Sequence, residues 1–98
     1  MAELSTLARP YAKAAFEYAL EAGDLQGWSD SLGTASSVAK QSTVDQLLSS
    51  PSSTAAAQAA ALTEICGESL SSAGKNFICI LSENRRLKLL PQIAQQFE

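Results

Sequence analysis

The segment from Leu7 to Ala22 is apolar around far more of a helix than burial against one core requires. At about 100° per residue, its apolar side chains cover roughly 240° of the helical wheel, against about 100° for a helix lying on one core. A narrow polar strip holds Lys13, Glu17 and Glu21, and Arg9 stands apart from it. The pattern predicts a helix that packs inside its domain on one side and offers another side to a partner.

The limits of this first helix follow from its local residues. Proline is best tolerated in the first turn of a helix, so Pro10 favours a start near Thr6. Gly23 suits the left-handed position that ends a helix, and Asp24 can cap the helix that follows.

Apolar residues at helical spacing predict four further amphipathic helices, in addition to the fifth described below. Thr54 can cap the fourth helix, which we expect to run from Ala55 to Leu70, and Pro91 suits the first turn of a sixth helix beginning near Lys88. The apolar positions are Leu25, Trp28, Leu32, Ala35 and Val38 in the second helix, Val44, Leu47 and Leu48 in the third, Leu62, Ile65, Cys66 and Leu70 in the fourth, and Leu90, Ile93, Ala94 and Phe97 in the sixth.

The run from Phe77 to Leu81 is continuously apolar and could by itself form a buried strand. The sequence offers no second strand to pair with it, so we predict a fifth helix that begins near Ser71 or Ser72. This helix is apolar on all sides and would be buried or partly covered by a partner. Asn84 is expected to be its left-handed stop.

Length and composition favour one all-α domain. A chain of 98 residues supports one hydrophobic core, and its alanine and leucine content with only 6% aromatic residues favours helices over sheets. The predicted fold is a six-helix bundle, with residues 1–98 forming a single domain.

The composition argues against several classes of function. A net charge of −3 disfavours nucleic acid as a partner, and the absence of histidine excludes histidine-dependent triads and zinc sites.

The carboxylate pairs Glu17–Glu21 and Glu64–Glu68 lack an evident third metal ligand, so we expect them to lie on solvated helix faces. Cys66 and Cys79 are expected to be small, reduced core residues. No leader, membrane span, phosphate loop or cofactor motif is found, so we predict a binding or structural module without catalysis.

The only basic cluster, formed by Arg85, Arg86 and Lys88, lies where the fifth helix ends. Cations at this position compensate the helix dipole, so a solvated feature is favoured over an anion site. An alternative function is a helical signalling adaptor that binds its partner through charged surface patches.

Two segments resemble one protein family in combination. LARPYAKAAFEYA at Leu7–Ala19 and NFICILSENRRLKLLPQIAQQF at Asn76–Phe97, with ICGE at Ile65–Glu68, resemble the N-terminal domain of the ATP synthase delta subunit, the bacterial counterpart of the oligomycin-sensitivity-conferring protein. The resemblance includes the pattern EN-x-RL…LP-x-I from Glu83 to Ile93 and covers nearly the whole chain.

The resemblance implies a non-catalytic six-helix bundle that attaches the catalytic head to the peripheral stalk. In the family, a groove between helices one and five receives the N-terminal helix of an alpha subunit, and a separate C-terminal domain, expected to be missing here, binds the b subunit. The implied location is the cytoplasmic face of the bacterial inner membrane, with no membrane insertion and with the isolated domain monomeric. The implied groove residues are Leu7, Tyr11, Ala14, Ala15, Tyr18, Phe77, Ile80, Leu81 and Asn84.

Overall fold

A computed structural model describes residues 4–98 and contains six α-helices in that range. They are α1 (Leu4–Ala22), α2 (Leu25–Ala39), α3 (Ser42–Ser49), α4 (Ala55–Cys66), α5 (Ser72–Glu83) and α6 (Leu90–Phe97). Short 3-10 turns at Gly67–Ser69 and Leu87–Leu89 lead towards α5 and α6. Since residues 4–98 contain no strand, the all-α, six-helix prediction is confirmed, including the helical state of the apolar run in α5.

The largest fully buried side chains of the core come from α4, α5 and α6, and α2 adds Trp28 and Leu32, whereas α1 contributes only alanine. Leu62, Ile78, Leu81, Leu90 and Ile93 are fully buried. The buried residues of α1 are Ala8, Ala12, Ala15 and Ala19. Because alanine has the shortest apolar side chain, the backbone of α1 can approach its neighbours closely. It packs chiefly against α6 and α2, and α5 packs chiefly against α4.

The predicted caps Asp24 and Thr54 are confirmed, and Ser71, near which the fifth helix was predicted to begin, is a third cap. A carboxylate oxygen of Asp24 accepts a hydrogen bond from the Gly27 amide at 3.2 Å, and the Thr54 hydroxyl accepts one from the Ala57 amide at 3.0 Å. The Ser71 hydroxyl accepts one from the Gly74 amide at 3.1 Å. Each side chain thereby satisfies an amide that has no partner inside the helix.

The predicted start of α1 near Thr6 is wrong, because the helix already includes Leu4. Pro10 therefore lies inside the helix and removes the amide that would bond to the Thr6 carbonyl. Both residues are exposed, so water can satisfy that carbonyl. One residue before Thr6, the Ser5 carbonyl accepts a hydrogen bond from the Gln96 side-chain amide at 2.7 Å, which ties the beginning of α1 to α6.

Two helices end in the same left-handed motif. At the end of α1, Gly23 has φ +71°, as predicted, and the Asp24 amide donates to the Ala19 carbonyl at 2.9 Å. At the end of α5 the left-handed residue is Arg85, with φ +57°, so the assignment of that position to Asn84 is wrong. Asn84 keeps a φ of −89°, and its side-chain amide donates to the Ile80 carbonyl at 3.1 Å. An asparagine placed there therefore caps a carbonyl through its side chain instead of adopting the left-handed backbone.

The fourth helix is shorter than predicted. It ends at Cys66 because Gly67 adopts φ +57° and ψ −130°, a conformation that only glycine adopts readily. Leu62, Cys66 and Leu70 are buried as expected, but Ile65 is 51% exposed, so its assignment to the same buried face is wrong.

The two cysteines differ in burial, and this difference predicts their reactivity. Cys66 is buried, whereas Cys79 is exposed, which contradicts its prediction as a core residue. Burial raises the pKa of the Cys66 thiol, so at neutral or mildly alkaline pH less of it is the reactive thiolate. One equivalent of a thiol reagent should therefore label Cys79 first, and peptide mapping after brief labelling would check this. Equal labelling of Cys66 in the folded domain would contradict it.

Gly33 lies inside α2 without a packing reason for being glycine. A β-carbon added there would meet no other atom within 4 Å. Alanine is favoured over glycine in a helix interior by about 1 kcal/mol, so Gly33→Ala should raise the free energy of unfolding by about that amount. Chemical denaturation would measure the gain. A loss of stability would contradict the prediction and show that α2 does not accommodate the added methyl group at position 33.

Candidate partner-binding groove

An open groove separates α1 from α5. The two helices have little direct contact, since α1 packs on α6 and α2 while α5 packs on α4. The space between them forms a pocket of about 250 Å³. It is lined by Ala14, Ala15, Tyr18, Trp28, Ala73, Asn76, Phe77 and Ile80.

The floor of the groove is aromatic. Trp28 of α2 is only 5% exposed and lies between Tyr18 and Phe77. The ring centroid of Trp28 is 5.4 Å from that of Tyr18 and 5.7 Å from that of Phe77, with interplanar angles of 57° and 75°. These tilted and edge-to-face arrangements are favourable for aromatic pairs and fix the three rings relative to one another. The floor is therefore formed by aromatic rings in mutual contact.

The walls of the groove expose apolar side chains to solvent. Tyr18 on α1 is 51% exposed and Ile80 on α5 is 43% exposed, although both side chains are large and mainly apolar. On α1, Ala14 is exposed and Ala15 is buried, and both line the groove. Because alanine side chains are short, they fill little of the space between the two helices. Covering exposed apolar side chains with an apolar partner is favourable, by roughly 25 cal/mol for each Å² of apolar surface removed from water.

The structure brings together five of the residues that the resemblance assigns to the groove. Ala14, Ala15, Tyr18, Phe77 and Ile80 all line the pocket.

The remaining four assigned residues lie outside the pocket. Leu81 is fully buried in the core, because it projects about 100° around α5 from its exposed neighbour Ile80. Leu7 and Tyr11 are half-buried and pack against the core beyond the pocket. Asn84 is exposed and bonded to its own helix.

Three pocket residues were not assigned to the groove from the sequence. Trp28 was expected in the core, which it is, and its ring also reaches the groove floor. Ala73 and Asn76 lie one turn and one residue before Phe77, on the same side of α5. The helical spacing from Ile80 back to Phe77, Asn76 and Ala73 was the signal that could have identified them.

A second apolar surface lies on the other side of α1. The Phe16 and Phe97 rings pack edge to face at 5.6 Å, and Arg9 and Lys13 flank them in a pocket shared with α6. This surface therefore combines apolar and basic groups, whereas the groove is lined by apolar residues and one amide.

The basic cluster at the end of α5 makes contacts within the domain. The Arg85 guanidinium donates to the Ser53 carbonyl at 2.9 Å. The Lys88 ammonium donates to the Ser49 hydroxyl at 2.9 Å and lies 4.0 Å from a carboxylate oxygen of Asp45. These exposed contacts join the connection before α6 to α3 and to the loop that follows it.

The described part of the chain contains no group of three or more side chains suited to hold a metal ion. Among residues 4–98, no helix is both long enough and apolar enough to cross a membrane.

Comparison with known proteins identifies the family. Residues 7–98 match the family described as ATP synthase delta (OSCP) subunit. The chain is 56% identical over 98 residues to ATP synthase subunit delta of Teredinibacter turnerae and 48% identical over 98 residues to that of Hahella chejuensis. Both alignments cover 100% of this chain and 55% of the relative, so the chain spans about half the length of these curated relatives. The chain thus belongs to the ATP synthase delta (OSCP) subunit family.

Proposed function

We propose that this chain is a non-catalytic stator component of the proton-translocating ATP synthase and that its α1–α5 groove binds the N-terminal helix of an alpha subunit. Family membership supports a role within the synthase. The observation that carries the binding site is the open groove, in which Tyr18 and Ile80 stay exposed above the buried rings of Trp28 and Phe77.

The shape of the groove favours a helix as its occupant. An amphipathic helix presents apolar side chains at i, i+3, i+4 and i+7, which fit a trough between two parallel ridges. Here the ridges are α1 and α5, and Ala14 and Ala73 keep the space between them low. The uneven exposure of α1 supports the same reading, since its alanine face is buried inside the domain while Ala14 and Tyr18 remain available to a partner.

The attachment role extends the proposal to the intact subunit. The chain spans about half the length of its relatives, which supports the inference that residues 1–98 form one domain of a two-domain subunit. In that arrangement this domain holds the catalytic head and a C-terminal domain holds the b subunit of the peripheral stalk, at the cytoplasmic face of the inner membrane. The head is then kept from turning with the rotor.

Trp28 provides the experiment, because it is the only tryptophan and its ring lies at the groove floor. Titration with a peptide of roughly the first 20 residues of the cognate alpha subunit, about the length of a helix that spans a small domain, should give a saturable one-to-one change in its fluorescence. Calorimetry on the same samples supplies an independent stoichiometry. No saturable heat and no fluorescence change would reject the proposal.

The salt dependence of binding distinguishes this proposal from a signalling adaptor that binds through charged patches. Apolar contacts in the groove persist in ~1 M salt. The attraction between exposed opposite charges is weakened, because the Debye length at that ionic strength is about 3 Å. Retained binding at high salt supports the groove, and complete loss supports the adaptor. The contacts of Arg85 and Lys88 within the domain favour the first outcome.

A further inference from the structure

A second exposed face runs along α1 on the side away from the groove. It consists of Arg9, Lys13, Phe16 and Leu20, which are all exposed and which we call the outer face of α1. Leu20, at 59%, is the most exposed large apolar side chain among residues 4–98, and Phe16 is 41% exposed. At 100° per residue the four fall within a sector of about 60°, centred roughly 170° around the helix from Tyr18. The outer face is therefore separate from the groove.

The spacing of these residues is typical of a helix that packs along another helix. Positions 9, 13, 16 and 20 are separated by four, three and four residues, the alternation found where two helices of a coiled coil meet. Arginine and lysine contribute to such contacts through the apolar stems of their side chains while their charged ends stay in water. A helix lying along the outer face would remove Phe16 and Leu20 from water.

The end of α6 already lies on the outer face. The Phe97 ring packs edge to face on Phe16 at 5.6 Å. Phe97 and Glu98 line a pocket of about 570 Å³ together with Arg9, Lys13 and Phe16. Because Glu98 itself lines this pocket, any residues that follow it in the intact subunit begin at the edge of the outer face.

The apolar period of α6 points in the same direction. Leu90, Ile93 and Phe97 are buried and follow one another at intervals of three and four residues. The same period places the next side chains of this face three and four residues after Phe97. The chain covers 55% of each of the two curated relatives, so the relatives are long enough to contain such residues.

We propose that, in the intact subunit, the segment directly after Glu98 is helical and packs along the outer face of α1. The proposal rests on the two-domain arrangement proposed above and is independent of what the groove binds. This occupant is joined covalently to the surface that it covers, so its effective concentration there is on the order of millimolar. Arg9 and Lys13 favour carboxylates on the side of the segment that faces them. The second domain is thereby fastened to α1, the helix that also forms one wall of the groove.

A soluble paramagnetic reagent tests whether the outer face is covered. A gadolinium chelate broadens the NMR signals of methyl groups that it can reach, and it is added to the intact subunit without any peptide. The Leu20 methyl signals should be broadened several-fold less than those of Ile65 on α4 and Ile80 in the groove. Within residues 4–98 the order of exposure is the reverse, with Leu20 at 59%, Ile65 at 51% and Ile80 at 43%.

Three results overturn the proposal. The first is broadening of Leu20 that is as strong as that of Ile65. The second is equal protection of Leu20, Ile65 and Ile80, which would indicate general burial in place of one covered face. The third is protection of Leu20 that arises only after the alpha-subunit peptide is added, which would assign the outer face to that peptide.

Glutamine substitutions test the contact through the segment itself. Leu20→Gln keeps a good helix former and removes the exposed apolar side chain. In the intact subunit it should increase the rate of limited proteolysis after Glu98 several-fold, because the segment is released from α1. Ile65→Gln, at a helical position of similar exposure, is the matched control and should leave this rate unchanged. Equal cleavage rates in the two variants contradict the proposal.

This inference and the function proposed for the groove fail separately. An exposed Leu20 in an intact subunit that still binds the peptide, as reported by Trp28, rejects only the covered outer face. A protected Leu20 in a subunit that binds no peptide rejects only the function proposed for the groove.

Discussion

Replacing Ala14 with aspartate is expected to abolish binding of the alpha-subunit peptide while leaving the domain folded. Ala14 is exposed in the free domain, so a carboxylate there remains hydrated and costs little stability. A helix seated between Tyr18 and Ile80 would bury that carboxylate among apolar side chains without a partner. Burying an unpaired charge costs several kcal/mol, and affinity changes tenfold for each 1.4 kcal/mol, so a loss of at least ~100-fold is expected.

Calorimetric titration measures the loss, and circular dichroism with thermal unfolding confirms that the variant is folded. Ala60→Asp is the matched control, because Ala60 is also an exposed helical alanine but lines a different pocket, between α4 and α5. It should bind the peptide with the affinity of the original sequence. Undiminished affinity of the Ala14 variant would reject the groove as the binding site.

The second large effect is on stability and separates two adjacent residues of α5. Leu81 is fully buried, whereas Ile80 is 43% exposed and lines the groove. Leu81→Ala removes core contacts and leaves a cavity, so it should lower the free energy of unfolding by about 2–5 kcal/mol. For a domain of this size each 1 kcal/mol shifts Tm by roughly 4–8 °C, so a fall of at least ~8 °C is expected.

Ile80→Ala should behave in the opposite way. Its stability should change by less than ~1 kcal/mol, because its side chain is already partly hydrated, while peptide affinity should fall measurably through lost groove contacts. Thermal unfolding and calorimetry on both variants provide the comparison. If Ile80→Ala destabilised the domain as much as Leu81→Ala, Ile80 would belong to the core.

Helix positions and their caps could be predicted from the sequence because both depend on local chemistry. The 3.6-residue period identified every helix except α5, which was assigned because no strand was available to pair with its apolar run. Asp24, Thr54 and Ser71 bond to amides only three residues away. The groove itself was predicted only in outline. A helical wheel shows that α5 is apolar on several sides, but it cannot show which neighbour covers each side.

The residues placed wrongly share that cause. Leu81 was assigned to the groove from the family resemblance and Ile65 to a buried face from the apolar pattern of its own helix. In the structure, α4 and α5 cover one side of each other, so that Leu81 is buried while Ile65 and Cys79 are exposed. Trp28 is the converse case. It was expected only in the core, but tertiary packing brings its ring from α2 to the floor of the groove between α1 and α5. The positive φ of Arg85 also escaped prediction, because asparagine is statistically favoured for that conformation and the Asn84 side chain makes a local hydrogen bond instead.

The alanine face of α1, which packs against the rest of the domain, affects the width of the groove. Ala8 and Ala19 are fully buried at the contact between α1 and its neighbours, where any larger side chain would act as a wedge. A wedge at the α6 side would push α1 outwards and alter the distance between the two ridges. The width of the groove therefore depends on Ala8 and Ala19, which a bound helix cannot touch, as well as on the residues that line it.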